Sequence, residues 1–299
     1  MIQFQCDYNE GAHPRILERM MKTNFEQTPG YGEDEYCAKA KELIKSVIGR
    51  EDADVHFLVG GTQTNLTVIA AALRPHQAVL TVTDGHINVH ETGSVEATGH
   101  KVLALPCDQQ AKLNAKQVDE YIQAHYDDPT AEHMVQPGMV YISNPTENGT
   151  IYTKQELTEL KAVCEKWKVP LYMDGARLGC ALTSHANDLT LADLGKLTDI
   201  FYIGGTKVGA LCGEAVVFTH NNAPKHFFTT VKQNGALLAK GRLLGVQFDT
   251  LFTDGLYFEI SKNAIDRAED LKHLFAQKGY PFFKNSPTNQ QFIILSDEK

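Results

Sequence analysis

The sequence predicts an α/β protein: a mostly parallel, doubly wound sheet with a smaller C-terminal α+β domain. Three observations carry this expectation. Short apolar runs recur along the chain, amphipathic helical stretches separate them, and the runs are continuous rather than alternating. A strand covered by helices on both faces reads as a continuous apolar run, whereas a half-solvated strand alternates. Strands that alternate with helices close into parallel βαβ units.

In chain order, Glu35–Ile48 places Ala40, Leu43, Ile44 and Val47 on one helical stripe. Strands follow at Val55–Val59, Val79–Val82, Val102–Leu105 and Met139–Ser143. Thr153 precedes the helix Lys154–Trp167, and Glu156 three residues on completes a capping box. Leu157, Leu160, Val163 and Cys164 form its apolar stripe. Further strands are expected at Pro170–Met173, Ile200–Ile203 and Ala215–Phe218. Asn263–Lys278 is a helix carrying Ala264, Ile265, Ala268, Leu271, Leu274 and Phe275, and Gln291–Leu295 a last strand. The Gly-containing turn at Phe252–Gly255 suggests a boundary, with a large unit over 1–250 and a small one over 251–299. The sequence stops at Ser296–Lys299, directly after that last strand, so the small unit reads as incomplete.

Composition narrows the function classes. The 299 residues include 37 acidic and 28 basic side chains, a net charge of −9. That balance argues against broad binding to nucleic acid or anionic membranes, which needs a basic face. No apolar run approaches the roughly 18 residues of a membrane span. The N-terminus lacks a basic segment followed by an apolar one, so secretion is not indicated. Six cysteines are scattered with no C-x-x-C pair, which signals no metal or redox cluster and suits a cytoplasmic location.

In a doubly wound sheet, ligands bind at the C-terminal ends of the strands. After the first strand comes Gly60-Gly61-Thr62-Gln63-Thr64-Asn65 running into a helix. Glycines there let the backbone approach an anion, and the helix N-terminus offers free N–H groups. A tight structural turn would read the same. After the Pro170–Met173 strand comes Asp174-Gly175-Ala176-Arg177. A carboxylate at this point could serve a metal, a ribose or a protonated heterocyclic nitrogen, or simply cap the next turn. After the Ile200–Ile203 strand comes Gly204-Gly205-Thr206-Lys207-Val208-Gly209. Partial burial favours a neutral amine, the form that condenses with a carbonyl; a loop lysine reaching solvent is the bland alternative. Pyridoxal phosphate would need all three features at once, a phosphate turn, an acid for its ring nitrogen and a lysine for its aldehyde. The segment Gly85-His86-Ile87-Asn88-Val89-His90-Glu91 follows the second strand. His86 suits stacking on a cofactor ring. A metal pair of His86 and His90 with Glu91 is the rival reading, but no third-ligand motif accompanies it.

These residues resemble those of the threonine aldolases of the β-eliminating lyase group. The landmarks are Gly30-Tyr31-Gly32-Glu33-Asp34, Gly61-Thr62, His86 with Glu91-Thr92-Gly93, Asp174-Gly175-Ala176-Arg177-Leu178 and Thr206-Lys207-Val208-Gly209-Ala210. The resemblance runs from about Asp7 to Phe292. It implies the type I fold of pyridoxal-phosphate-dependent transferases, and a homodimer or homotetramer with active sites shared between subunits. It implies that Lys207 carries the cofactor, Asp174 pairs with the ring nitrogen and Arg177 lies near the phenolate oxygen. Gly61 and Thr62 would hold the phosphate, with Thr206 beside Lys207. Tyr31 would line the substrate pocket. His133, before the Met139–Ser143 strand, falls close to a position where the family carries a histidine near the substrate hydroxyl. The family's N-terminal Ser-Asp pair reads Cys6-Asp7; the resemblance puts Cys6 at the substrate carboxylate, where the family's serine helps bind it, and a cysteine there weakens the contact.

The expected activity is retro-aldol cleavage of L-threonine or L-allo-threonine to glycine and acetaldehyde, with His86, His133 or a water held by Glu91 as the base. The alternatives are β-elimination from another amino acid and a catalytically silent cofactor-binding protein.

Overall fold

A computed structural model describes residues 3–296. Among these, seven strands form one sheet: β1 (Asp54–Leu58), β2 (Gln77–Val82), β3 (Lys101–Leu105), β4 (Gln136–Ser143), β5 (Leu171–Asp174), β6 (Ile200–Gly204) and β7 (Glu214–Phe218). Their order across the sheet is β1-β7-β6-β5-β4-β2-β3. The pairs β2–β3, β2–β4, β4–β5 and β5–β6 are parallel, and β7 runs antiparallel to both β6 and β1. Each strand overlaps an apolar run expected from the sequence.

The helices are α1 (Pro14–Thr23), α2 (Glu35–Ile48), α3 (Gly61–Ala72), α4 (His86–Val89), α5 (Ser94–Ala97), α6 (Ala115–Asp127), α7 (Lys154–Trp167), α8 (Leu178–Thr183), α9 (Leu191–Leu197), α10 (Phe227–Gln233), α11 (Arg242–Phe252) and α12 (Leu256–Gln277). Two of them match the sequence expectation residue for residue. α2 begins at Asp34, whose side chain accepts from the Cys37 N–H, and ends on left-handed Gly49. α7 begins with the Thr153–Glu156 capping box, both reciprocal hydrogen bonds being made.

Helices cover both faces of the sheet. On one face Val140, Ile142, Leu171, Met173, Phe201 and Ile203 pack with residues of α1, α2, α7, α9 and α11. On the other, Met139, Tyr141, Tyr172, Tyr202 and Val216 pack with Val68 and Ile69 of α3 and Phe227 of α10. Successive strand residues alternate between the faces, but both faces are buried, which explains why the runs read as continuous.

The C-terminal part differs from the expectation. The last helix starts earlier, at Leu256, just after a left-handed turn at Asp254 and Gly255. It docks on α8, with the Tyr257 hydroxyl accepting from the Gly179 N–H at 3.0 Å and donating to the Gly204 carbonyl at 3.2 Å. The expected strand Gln291–Leu295 is reduced to one antiparallel bridge, Phe282 to Ile293. A strand needs a ladder to satisfy its backbone, and here only a short extended segment lies opposite it.

Candidate active site

The C-terminal ends of β4, β5 and β6 gather the polar side chains. Period-two alternation places Asp174 on the same face as Tyr172, the face that α3 covers. Asp174 is buried and fully bonded. Oδ1 accepts from the Tyr202 hydroxyl at 2.6 Å and the Ala176 N–H at 3.0 Å. Oδ2 accepts from the Tyr141 hydroxyl at 2.6 Å and Asn65 Nδ2 at 3.0 Å. Asn65, on α3, also donates to Glu91 Oε1 at 2.7 Å and accepts from the Tyr172 hydroxyl at 2.8 Å. Burial alone would raise the Asp174 carboxyl; the His86 charge and the bonds from Tyr141, Tyr202 and Asn65 outweigh it and hold the group below its ordinary value.

Gly175 is dictated by a close approach. A Cβ there would lie 1.9 Å from the Tyr202 carbonyl oxygen, because β5 turns tightly under β6 and the Gly204 N–H bonds to the Gly175 carbonyl at 2.9 Å.

His86 opens α4, and its Nδ1 lies 2.7 Å from Glu91 Oε1. Burial would lower its pKa, but the Glu91 bond and the charges of Asp174, Glu147 and Glu91 raise it. Glu91 is buried, with Oε2 accepting from Ser94 Oγ at 2.9 Å. Donor atoms of His86, Glu91 and Asp174 lie within 4.8 Å of one another. These carboxylate oxygens already accept from Asn65, Ser94 and two tyrosines, so a cation would have to strip bonds from a satisfied network. His90 is not in this donor group; its ring sits 5.6 Å from that of His86.

Lys207 lies in a cleft of about 920 Å³ with Thr206, Gly209 and the N-terminal residues Cys6, Asp7, Tyr8 and His13. Its Nζ sits 5.8 Å from the centre of the Tyr8 ring. The Thr206 hydroxyl points back into the fold, donating to Glu214 Oε1 at 2.8 Å. Glu214 on β7 also accepts from the Gly205 N–H at 3.1 Å. Burial pushes the Glu214 carboxyl up to about 8.

Gly61 and Thr62 begin α3, whose cap residue Gly60 makes no side-chain hydrogen bond. The first-turn N–H groups therefore have no capping acceptor, and Thr62 is exposed beside them. Arg177 forms a two-pronged pair with Asp7, Nε to Oδ2 at 2.6 Å and Nη2 to Oδ1 at 3.1 Å. Asn289 Nδ2 joins Asp7 at 2.9 Å. Cys6 Sγ donates to Asn9 Oδ1 at 2.8 Å on the rim of the cleft.

Two expected site residues fall elsewhere. His133 is exposed, in a one-turn helix before β4, at the end of the strand opposite to Asp174. A residue that precedes a parallel strand cannot reach the carboxyl ends where the cleft lies. Tyr31 lines a different groove with Cys37, His56, Phe57 and Phe228, under the Lys232 ammonium at 4.8 Å.

A further carboxylate close to this network in charge, and not singled out from the sequence, is Glu147. It follows β4, whose last residue Ser143 is in register with Asp174. Its carboxyl feels the charges of His86, Asp174, Arg177 and Lys207, and burial raises its pKa. The signal in the sequence is the segment that follows the strand Met139–Ser143, Asn144-Pro145-Thr146-Glu147. Glu214 gave no such signal, since a polar residue opening an apolar run reads as a strand boundary.

Together these residues fit pyridoxal phosphate. An uncapped helix start suits the phosphate, a buried but ionised Asp174 suits a protonated ring nitrogen, and Lys207 faces an open cleft.

The sequence model of one family, described as beta-eliminating lyase, matches residues 3–298. A low-specificity L-threonine aldolase of Pseudomonas sp. (strain NCIMB 10558) is 29% identical over 302 residues, spanning 99% of this chain and 84% of that protein. The solved threonine aldolase of Leishmania major is 48% identical with a TM-score of 0.93, covering 98% of this chain and 84% of that one. Cystalysin from Treponema denticola, which contains pyridoxal 5'-phosphate, shares the fold at a TM-score of 0.72 and 12% identity over 96% of this chain and 74% of its own.

Proposed function

The chain belongs to the β-eliminating lyase family, and from that premise we propose that it is a pyridoxal-phosphate-dependent carbon–carbon lyase of the threonine aldolase type. It cleaves L-threonine and L-allo-threonine to glycine and acetaldehyde. The observation that carries this reading is the pairing of Lys207 in an open cleft with an ionised Asp174 at the neighbouring strand end, in a chain 48% identical to a threonine aldolase over nearly its full length.

When bound, pyridoxal phosphate supplies an aldehyde for the amino group and a protonated ring that takes up the electron pair released at Cα. The protein's residues do the rest. Lys207, at the cleft, would hold the cofactor through its amine. Asp174 stays charged, so the ring nitrogen stays protonated. Glu91 orients His86 through Nδ1, leaving the imidazole face to stack on the ring. The α3 amides, with Gly61 and Thr62, hold the phosphate. Thr206 and Glu214 fix the loop that carries Lys207. Arg177, oriented by Asp7, would present its guanidinium to the ring oxygen of the cofactor, and Cys6 lies on the rim of the Lys207 cleft with Asp7.

We take the chain as a homodimer or homotetramer with shared sites. Tyr31 lies outside the Lys207 cleft of its own subunit, and Leu17, Met21 and Phe25 are exposed, Phe25 by 93%. Residues 1–250 serve as the cofactor-binding unit and 251–299 as the smaller C-terminal one. A cytoplasmic location agrees with six free cysteines, three of them partly exposed. No helix among the described residues is long and apolar enough to cross a membrane.

The test is a product assay on purified holoenzyme. Acetaldehyde and glycine in equal amounts from either threonine isomer are expected, together with a visible absorption band lost in Lys207→Ala. Pyruvate in place of acetaldehyde would transfer the chain to β-elimination, and a band without turnover of any amino acid would make it a silent binder.

A further inference from the structure

The segment after β4 is pinned from several sides. The Thr146 N–H bonds to the Thr150 carbonyl at 2.8 Å, and the two threonine hydroxyls meet at 2.7 Å. Asn148 Nδ2 reaches the Gln109 carbonyl at 3.3 Å and Asp84 Oδ2 at 3.5 Å. Ser286 Oγ donates to the Gly149 carbonyl at 3.0 Å. Glu147 sits at the apex of this fixed loop, partly buried, in a recess shared with Gly85, Tyr141 and Ser143. Among the described residues its carboxyl makes no hydrogen bond and no ion pair.

The other candidates for proton transfer are committed. Glu91 spends both oxygens on Asn65, His86 and Ser94. Both Asp174 oxygens are saturated. His86 is held toward its cationic form, which is a poor base. His133 is at the far end of the sheet. Glu147 alone among these groups combines a place at the carboxyl end of the sheet, within reach of the charges of His86, Asp174 and Lys207, with an unspent carboxyl and a rigid mount.

Resting on the lyase reading above, we propose that Glu147 is the residue that takes the β-hydroxyl proton of the bound amino acid. The O–H bond breaks and its proton passes to the Glu147 carboxylate. The hydroxyl carbon becomes a carbonyl, the Cα–Cβ bond breaks and its electron pair stays at Cα. Acetaldehyde leaves. The proton on Glu147 then goes to Cα, which restores the carboxylate and balances threonine against glycine plus acetaldehyde. The group must start ionised. Burial and Asp174 hinder ionisation, and Asp84 lines the same recess; His86, Arg177 and Lys207 favour it. The balance lies above the ordinary glutamate value, so turnover rises with pH through a raised acid limb.

Glu147→Gln and Glu147→Asp in the holoenzyme test this, beside an infrared titration of the carboxyl in the cofactor-free protein. The expected result is a fall in kcat of about 100-fold or more for Gln, with KM little changed, loss of the acid limb and partial recovery in Asp. The visible cofactor band stays as in wild type, and a carboxylic-acid signal that titrates above the ordinary glutamate range is missing from Gln. A Gln variant that turns over within about threefold of wild type, or keeps the limb, overturns the proposal. So does loss of the cofactor band, which would place Glu147 with the cofactor rather than the substrate. Wild-type enzyme that releases no acetaldehyde would instead overturn the lyase reading on which the proposal stands.

Discussion

Asp174 lies between two phenols, and that arrangement sets its chemistry. A buried carboxylate is stabilised only by donors, and Tyr141 and Tyr202 each supply one at 2.6 Å. Tyr141→Phe or Tyr202→Phe is expected to lower stability by about 1.5–3 kcal/mol in urea unfolding. Each should also raise the Asp174 pKa and weaken cofactor retention. Asp174→Asn should keep the fold and lose turnover by orders of magnitude, read as kcat with the visible band followed in parallel. His133→Ala, by contrast, should leave kcat at the wild-type level. Glu214 makes a pH prediction. Its folded pKa of about 8 exceeds the ordinary glutamate value of 4.5. The folded state therefore holds the proton more tightly, and the resulting stability is full below pH 4.5 and lost as pH rises through 8. Thermal melts should show wild type declining across that window relative to Glu214→Gln, which cannot ionise. Parallel curves would mean that Glu214 keeps its ordinary acidity.

Elements announced by their own residues were legible. The Thr153–Glu156 box placed the start of α7 because capping is a local exchange of hydrogen bonds. Thr153→Ala should lower stability by about 1 kcal/mol in a denaturant titration. The apolar runs located all seven strands because burial on both faces leaves a continuous signature. The expected final strand Gln291–Leu295 failed because strand pairing depends on a partner elsewhere, and that segment finds only Phe282. Gly175 shows the same dependence. The sequence marks a turn, whereas the structure shows the Tyr202 carbonyl where a methyl group would go. Gly175→Ala should therefore shift β5 against β6 and lose cofactor binding along with stability.

At the scale of the whole molecule, the cleft draws on distant parts of the chain. Asp7, Arg177 and Asn289 meet in one polar cluster, although Asp7 lies near the start of the chain and Asn289 near its end. Met21 and Phe25 are exposed apolar side chains on and just after α1, the surface we propose for the subunit contact. Met21→Glu with Phe25→Glu should lower the mass seen by light scattering and, with shared sites, reduce kcat together with it. A variant of unchanged mass would remove α1 from the subunit interface.

What the sequence determined by itself is the alternation of strands and helices and the three strand-end groups, Gly61-Thr62, Asp174 and Lys207. Each rests on residues adjacent in the chain, where periodicity, capping and glycine turns act. The tertiary structure alone decided which side chains complete the site. Asn65, Tyr141 and Tyr202 lie inside a helix and two strands, Glu214 opens β7, and none carries a local mark. Asn65, Tyr141 and Tyr202 meet at Asp174 only because parallel strand order sets β4, β5 and β6 side by side and α3 closes over one face. Glu147 lies at the carboxyl end of the sheet and His133 at the opposite end for the same reason: in a parallel sheet a residue after a strand and a residue before it lie a strand length apart.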